Sequence, residues 1–186
     1  MTIDEFIQDA TQRMDKSVEA AQHEFNTLRT GRASAALLDR IQIDYYGTKT
    51  PLKQLATINA PEPRLLTVQP FDPSSLSAIE RAIQESDLGL TPSNDGKLIR
   101  LPIPQLTEER RKELVKVVRG MAEEGRVAVR NVRRDAIHHL KELVDKSEVG
   151  KDEEHRAEER VQKLTDDHTK KIDELLERKE AEILEV

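Results

Sequence analysis

The sequence predicts an α+β fold in which an elongated three-helix bundle carries a small inserted domain of β-sheet and short helix. Three observations predict it. Apolar residues recur at steps of three and four along three long stretches, the spacing of helices that bury one face. Between the first and second of these the period falls to two, and all eight prolines and three of the seven glycines lie between Tyr46 and Gln105. Only 3% of the 186 residues are aromatic while 35% are charged, which favours helices joined through Leu, Ile, Val and Ala over one large globular core. The expected domains are residues 1–30 plus 105–186 for the bundle and 31–104 for the insertion.

The first helix runs from Thr2 to Leu28. Thr2 stands three residues before Glu5, the spacing of a capping box, and Ile3, Ile7, Ala10, Met14, Val18, Ala21, Phe25 and Leu28 form its apolar line. From Ile41 the chain alternates, Ile41, Ile43 and Tyr45 against Gln42 and Asp44, as a half-buried strand does. Two further strands are expected over 54–59 and 65–69. Asp72-Pro73-Ser74 supplies a cap with proline at the first helical position, opening a short helix on Leu76, Ile79 and Ile83 that ends at Gly89. Asn94-Asp95-Gly96 is a hairpin-type turn joining Leu90-Thr91 to a strand from Leu98 to Ile103, which Pro102 and Pro104 stop.

The second long helix is predicted from Thr107 to Val144, with Glu108 and Glu109 at its positive end and Gly150 closing it. Leu114, Val118, Met121, Gly125, Val132, Ala136, His139 and Leu143 form its core face. A last helix opens at Asp152 and repeats Ala157, Val161, Leu164, His168, Ile172, Leu175, Lys179 and Ile183. Gly120 and Gly125 both read as points of close helix approach.

On the side of the second helix opposite its core face the wheel places Lys112, Lys116, Arg119, Arg126, Arg130, Arg133 and Arg134, with Glu123 as the one acid among them. Solvated helix faces ordinarily mix acids and bases for pairing, and a charged outer face is by itself what any water-facing helix has. The bias to arginine, whose planar fork matches phosphate, points to a phosphate-facing surface. Because the whole chain carries a net charge of −6, any nucleic-acid contact has to be local, and this stripe is the candidate of sufficient size.

Several chemistries find no support. The chain has no cysteine, so no disulfide framework or Cys-based metal site is expected. No zinc spacing exists among the histidines; His139 and His168 read as core or boundary residues. Gly120 to Arg126 echoes a phosphate-binding loop, but Val127 stands where a magnesium-binding hydroxyl belongs and the stretch is helical. No nucleophile stands beside a matched base, so a non-enzyme without cofactor or metal is expected. The acidic start Met1-Thr2-Ile3-Asp4-Glu5 is unlike a signal peptide and no apolar run reaches spanning length, so a soluble, cytoplasmic protein is expected.

These motifs together give a resemblance. Leu28-Arg29-Thr30-Gly31-Arg32-Ala33, Asp44-Tyr45-Tyr46-Gly47 with Thr50-Pro51-Leu52, Ser86-Asp87-Leu88-Gly89-Leu90, Leu106-Thr107-Glu108-Glu109-Arg110-Arg111-Lys112 and Val127-Ala128-Val129-Arg130-Asn131-Val132-Arg133-Arg134 occur in the order found in the bacterial ribosome recycling factor family, which the chain resembles from end to end. One departure is Ala35, where that family often has proline. The resemblance implies an L-shaped, two-domain monomer that acts with elongation factor G and GTP to split the post-termination ribosome and release messenger RNA. It implies that Arg29, Arg130 and Arg133 contact large-subunit ribosomal RNA, and that Thr30, Gly31 and Arg32 with Pro104 and Gln105 form a hinge. GTP would belong to the partner. The competing expectation is a helical adaptor that binds a protein through the same outer faces, and salt-sensitive binding to ribosomes separates the two.

Overall fold

The computed structural model describes residues 1–185; Val186, the end of the expected bundle segment, lies outside the described residues. In chain order the elements are α1 (Ile3–Thr27), a 3₁₀ turn (Ala35–Leu38), β1 (Gln42–Tyr45), β2 (Thr48–Pro51), α2 (Leu52–Leu55), β3 (Ala56–Glu62), β4 (Leu65–Pro70), a 3₁₀ turn (Pro73–Ser75), α3 (Leu76–Glu85), β5 (Ser93–Asn94), β6 (Ile99–Pro102), α4 (Glu108–Asp145) and α5 (Lys151–Leu184). They form two compact units, Met1–Arg29 with Glu108–Glu185, and Thr30–Thr107.

The first unit is the three long helices. At α1 the capping box is present in full: Glu5 N–H donates to the Thr2 hydroxyl at 3.2 Å and Thr2 N–H to the Glu5 carboxylate at 2.8 Å. Phe6 stacks on His139 at 5.1 Å and Ala21 lies beside Gly125, so α1 and α4 run antiparallel. Arg119 meets Glu180 and Arg126 meets Asp173, so α4 and α5 are antiparallel as well. Met14, Leu114, Val118, Val129, Leu140, Val161 and Ile172 are buried between them.

The core line of α4 differs from expectation. Ala122, Val129 and Leu140 are buried, whereas Met121 and His139 are only half-buried. A wheel drawn from the sequence centres the apolar arc by residue type; the structure centres it where α1 and α5 both reach the helix. Gly125 sits on that line, with Ala21 Cβ 3.1 Å and Ile172 Cδ1 3.2 Å from where its own Cβ would stand. Gly120 corrects the expectation of close helix approach, because nothing lies within 4 Å of its Cβ position. The end of α4 is another correction. The left-handed residue is Ser147, φ 57°, with Glu148 N–H donating to Leu143 C=O and Ser147 N–H to Val144 C=O in the Schellman pattern. Gly150 instead caps the start of α5.

The second unit holds two antiparallel sheets, β1-β2 and one of order β3-β4-β6-β5, over a core that includes Leu38, Ile43, Leu52, Leu66, Val68, Ile79, Ile83, Ile99 and Leu101. β2 was not expected. It pairs with β1 through a turn at Tyr46 (φ 51°) and Gly47 (φ 80°), the signs that a two-residue I′ hairpin demands. The strand expected over 54–59 is a helical turn followed by β3, which continues through Pro61 because β3 is an edge strand with an irregularity between Asn59 and Glu62. α3 stops at Glu85, four residues before Gly89, where Ser86 N–H and Oγ both bond Ile83 C=O. Leu90-Thr91 is not a strand; the hairpin partner of β6 is Ser93–Asn94, closed by Asp95 accepting from Lys97 and Leu98.

Candidate nucleic-acid interface

A helix of 38 residues repeats its direction nearly every seven, so the basic residues of α4 fall on lines along its axis. Arg119, Arg126 and Arg133 form one such line, and it borders α5 instead of lying opposite the core as expected. Arg119 Nε donates to Glu180 Oε1 at 2.7 Å. Arg126, its side chain 21% exposed, reaches Asp173 Oδ1 with Nη2 at 2.6 Å and with Nε at 2.8 Å, and Glu123 Oε2 with Nη1 at 3.1 Å. Arg133 Nη1 donates to the neutral amide oxygen of Gln162 at 3.3 Å. Arg130 Nη1 donates to Glu123 Oε1 at 3.1 Å. The stripe is thus partly neutralised by Glu123 and by two acids of α5, Asp173 and Glu180, that the α4 wheel could not display.

The electrostatics follow this geometry. Hydrogen bonds from Arg126 and Arg130 hold the Glu123 carboxyl below its usual range. Burial works against the Arg126 charge, but bonds to Asp173 and Glu123 outweigh it and raise the guanidinium pKa. Arg126 is therefore bound into the bundle and poorly placed to give its donors to phosphate.

A second line faces furthest from the core. Roughly half a turn round the helix from the buried residues stand Lys116, Gly120, Val127 and Arg134. Among the described residues Lys116 and Arg134 make no ion pair or hydrogen bond, and both are exposed. Val127 is 42% exposed, a large apolar side chain left in solvent between them. Lys112 makes only an exposed pair with Glu108 at 3.4 Å. Arg29 is exposed just past the extended cap residue Leu28.

Sequence reasoning missed Asp173 and Glu180 as partners of the stripe. The available signal was a shared spacing: these acids are seven apart, as Arg119 and Arg126 are, so two antiparallel helices bring both pairs into register together.

The segments nominated as a hinge have their own geometry. Gly31 has φ +78°, and a Cβ there would come within 2.8 Å of Leu106 Cγ, so the chain leaving α1 and the chain returning to α4 run side by side in the second unit. Thr30 is buried, while Arg32, Pro104 and Gln105 are not. His168 is a core residue, with Nδ1 2.6 Å from Leu164 C=O and Nε2 2.6 Å from Asp15 Oδ1. Among the described residues no group of three or more His, Asp or Glu could hold a metal, and no helix is long and apolar enough to cross a membrane.

Comparisons with known proteins agree with one another. The family described as Ribosome recycling factor matches residues 21–184. The ribosome-recycling factor of Rubrobacter xylanophilus is 60% identical over 180 residues, covering 97% of each chain. That of Alkaliphilus metalliredigens is 58% identical over 94% of this chain and 95% of its own. Among solved structures, a solution structure of the ribosome recycling factor superposes with a TM-score of 0.75 at 45% identity, covering 100% of this chain and 99% of the other. A second similar structure is of the T. thermophilus ribosome recycling factor, from models of it and E. coli elongation factor G bound to the E. coli post-termination complex. It has a TM-score of 0.66, 51% identity and full coverage of both chains.

Proposed function

The chain belongs to the ribosome recycling factor family, and we propose that it performs ribosome recycling by laying the outward line of α4 on large-subunit ribosomal RNA. The observation that carries this is the pair of unpartnered cations Lys116 and Arg134 on the outermost line of α4, in a protein whose overall charge is −6. Such cations supply local phosphate contact against an unfavourable long-range field. Arg133, held only by a neutral amide, and Arg130 at the edge of the line can turn toward phosphate at small cost. Lys112 and Arg29 extend the basic surface toward the start of α4. Arg119 and Arg126 act chiefly inside the bundle, because releasing them would leave Glu180 and Asp173 without their partners.

Elongation factor G is the partner, and it brings the GTP, since this chain has no phosphate-binding loop of its own. The chain acts as a monomeric, cytoplasmic, non-enzymatic factor. Residues 1–30 plus 105–186 bind the ribosome, and residues 31–104 are the part on which the GTPase acts. Thr30, Gly31 and Arg32 with Pro104 and Gln105 are the hinge, lying in the second unit beside the crossings at Arg29–Thr30 and Thr107–Glu108.

The test is equilibrium binding to large ribosomal subunits across a salt series, together with a thermal melt. Arg134→Glu should melt within about 0.5 kcal/mol of the wild type. It should also bind more weakly and flatten the salt slope by about one unit. Arg133→Glu should behave similarly, whereas Arg126→Glu should lower the melting temperature, because it places a third carboxylate beside Glu123 and Asp173. Wild-type affinity and slope for Arg134→Glu would put the protein-binding adaptor first.

A further inference from the structure

Gly120 is a helical glycine without a reason inside the molecule. Glycine is among the poorest helix formers, and α4 keeps one near the middle of its exposed line where an added Cβ would meet no atom within 4 Å. Gly125, five residues on, has a packing reason in Ala21 and Ile172. Gly120 does not cap, kink or pack anything among the described residues. Its flanks are specific: unpartnered Lys116 lies one turn before it, exposed Val127 two turns after, and unpartnered Arg134 two turns beyond that. Between Lys116 and Arg134 the carboxylate nearest this line is Glu123, already engaged by Arg126 and Arg130, and Glu124 lies further round the helix; Glu109 and Glu113 stand on the line nearer the start of α4, Glu113 paired with Arg110.

We propose that Gly120 is the point of closest approach between α4 and a ribose–phosphate strand. The missing side chain lets the strand touch the helix backbone, Val127 packs on a ribose, and Lys116 and Arg134 hold phosphates about 27 Å apart. The proposal rests on the RNA-facing reading of α4. Charge decides for RNA over a protein surface: between Lys116 and Arg134 the free groups on the line are both cations, and the nearest acid there is internally neutralised.

The full-length chain tests it with Gly120→Ala and Gly120→Leu, bound to purified large ribosomal subunits over a salt series. Gly120→Ala should melt higher than wild type, since alanine is the better helix former and its methyl group has room. A loss of binding therefore cannot be a loss of folding. Affinity should fall in order of side-chain size, with Gly120→Leu down by about tenfold or more, as steric misfit in a close contact demands. The salt slope should be unchanged because no cation is lost. Binding of Gly120→Leu within about twofold of wild type would overturn the proposal. Arg134→Gln in the same series separates the two levels. Unchanged slope and affinity there would overturn the RNA-facing reading itself. Weakened Gly120→Leu beside an unchanged Arg134→Gln slope would mean a protein surface at Gly120, which also overturns the proposal.

Discussion

Gly31 carries a demand that other residue types meet badly. Its φ of +78° lies in the left-handed region, and its missing Cβ leaves the space that Leu106 Cγ occupies. Gly31→Ala should therefore destabilise the Thr30–Thr107 unit by about 1–2 kcal/mol, the ordinary cost of an L-residue in that region. Adding Leu106→Ala should relieve the crowding but not the backbone cost. Denaturant unfolding of the two single variants and the double variant measures their coupling, and strictly additive effects would show that Leu106 simply steps aside. At this scale the sequence identified the right residue for an incomplete reason: a permissive glycine at a domain crossing was legible, but its contact with Leu106, 75 positions later, was not. The arginines follow the same rule. Their fitness for phosphate was readable from residue type; which of them α5 had already engaged was not.

Elements were legible where period and caps agreed. The Thr2–Glu5 capping box and the register of α1 appear as expected, because both depend on neighbours within one turn. Turns with unusual backbone were misread. β2 stayed hidden because Tyr46 takes a positive φ usually left to Asn or Gly, and the end of α4 was assigned to Gly150 because glycine is the usual left-handed closing residue. Ser147 occupies that place at φ 57°. Ser147→Gly should keep both Schellman bonds, remove the strain and raise stability by about 0.5–1 kcal/mol, a gain reduced by the extra freedom of glycine in the unfolded chain. A lower melting temperature for that variant would mean that the serine side chain stabilises the turn.

The two units invite a test of the whole molecule. The bundle core is built from α1, α4 and α5, with Met14, Leu140, Val161 and Ile172 buried in it. With Ala21 level with Gly125, α4 overshoots the end of α1 by about 16 Å at 1.5 Å per residue. A Gly/Ser linker of about twelve residues spans about 19 Å on average and so can replace residues 32–104. The shortened chain should be strongly helical and unfold cooperatively, yet fail to recycle ribosomes; a broad, non-cooperative melt would show that the bundle depends on the insertion.

Acid should weaken both units of the intact protein. Glu123 is held below its ordinary range by Arg126 and Arg130, Asp72 by Ser74 and Tyr45, and Asp95 by the Leu98 and Lys97 amides. A depressed carboxyl pKa contributes stability above the unfolded-state value and loses it as pH falls through the folded value. Unfolding midpoints should therefore hold near neutrality and decline below the ordinary carboxyl values of 4.5 for Glu and 3.8 for Asp. Asp72→Asn should flatten part of that decline, and an identical pH profile would remove Asp72 from this account.

By itself the sequence determined the period of each long helix, the place where the insertion interrupts them, and an arginine-rich face on α4, because these depend on residues close together in the chain. Only tertiary structure decided which basic groups stay free. The close seat of Gly125 between Ala21 and Ile172 is part of the packing that sets how α4 turns and slides against its neighbours. In that register Arg119 and Arg126 meet Glu180 and Asp173, while Lys116, Gly120, Val127 and Arg134 face outward. Electrostatic pairing falls steeply with distance. A register different by one residue would turn α4 by about 100° and engage a different set.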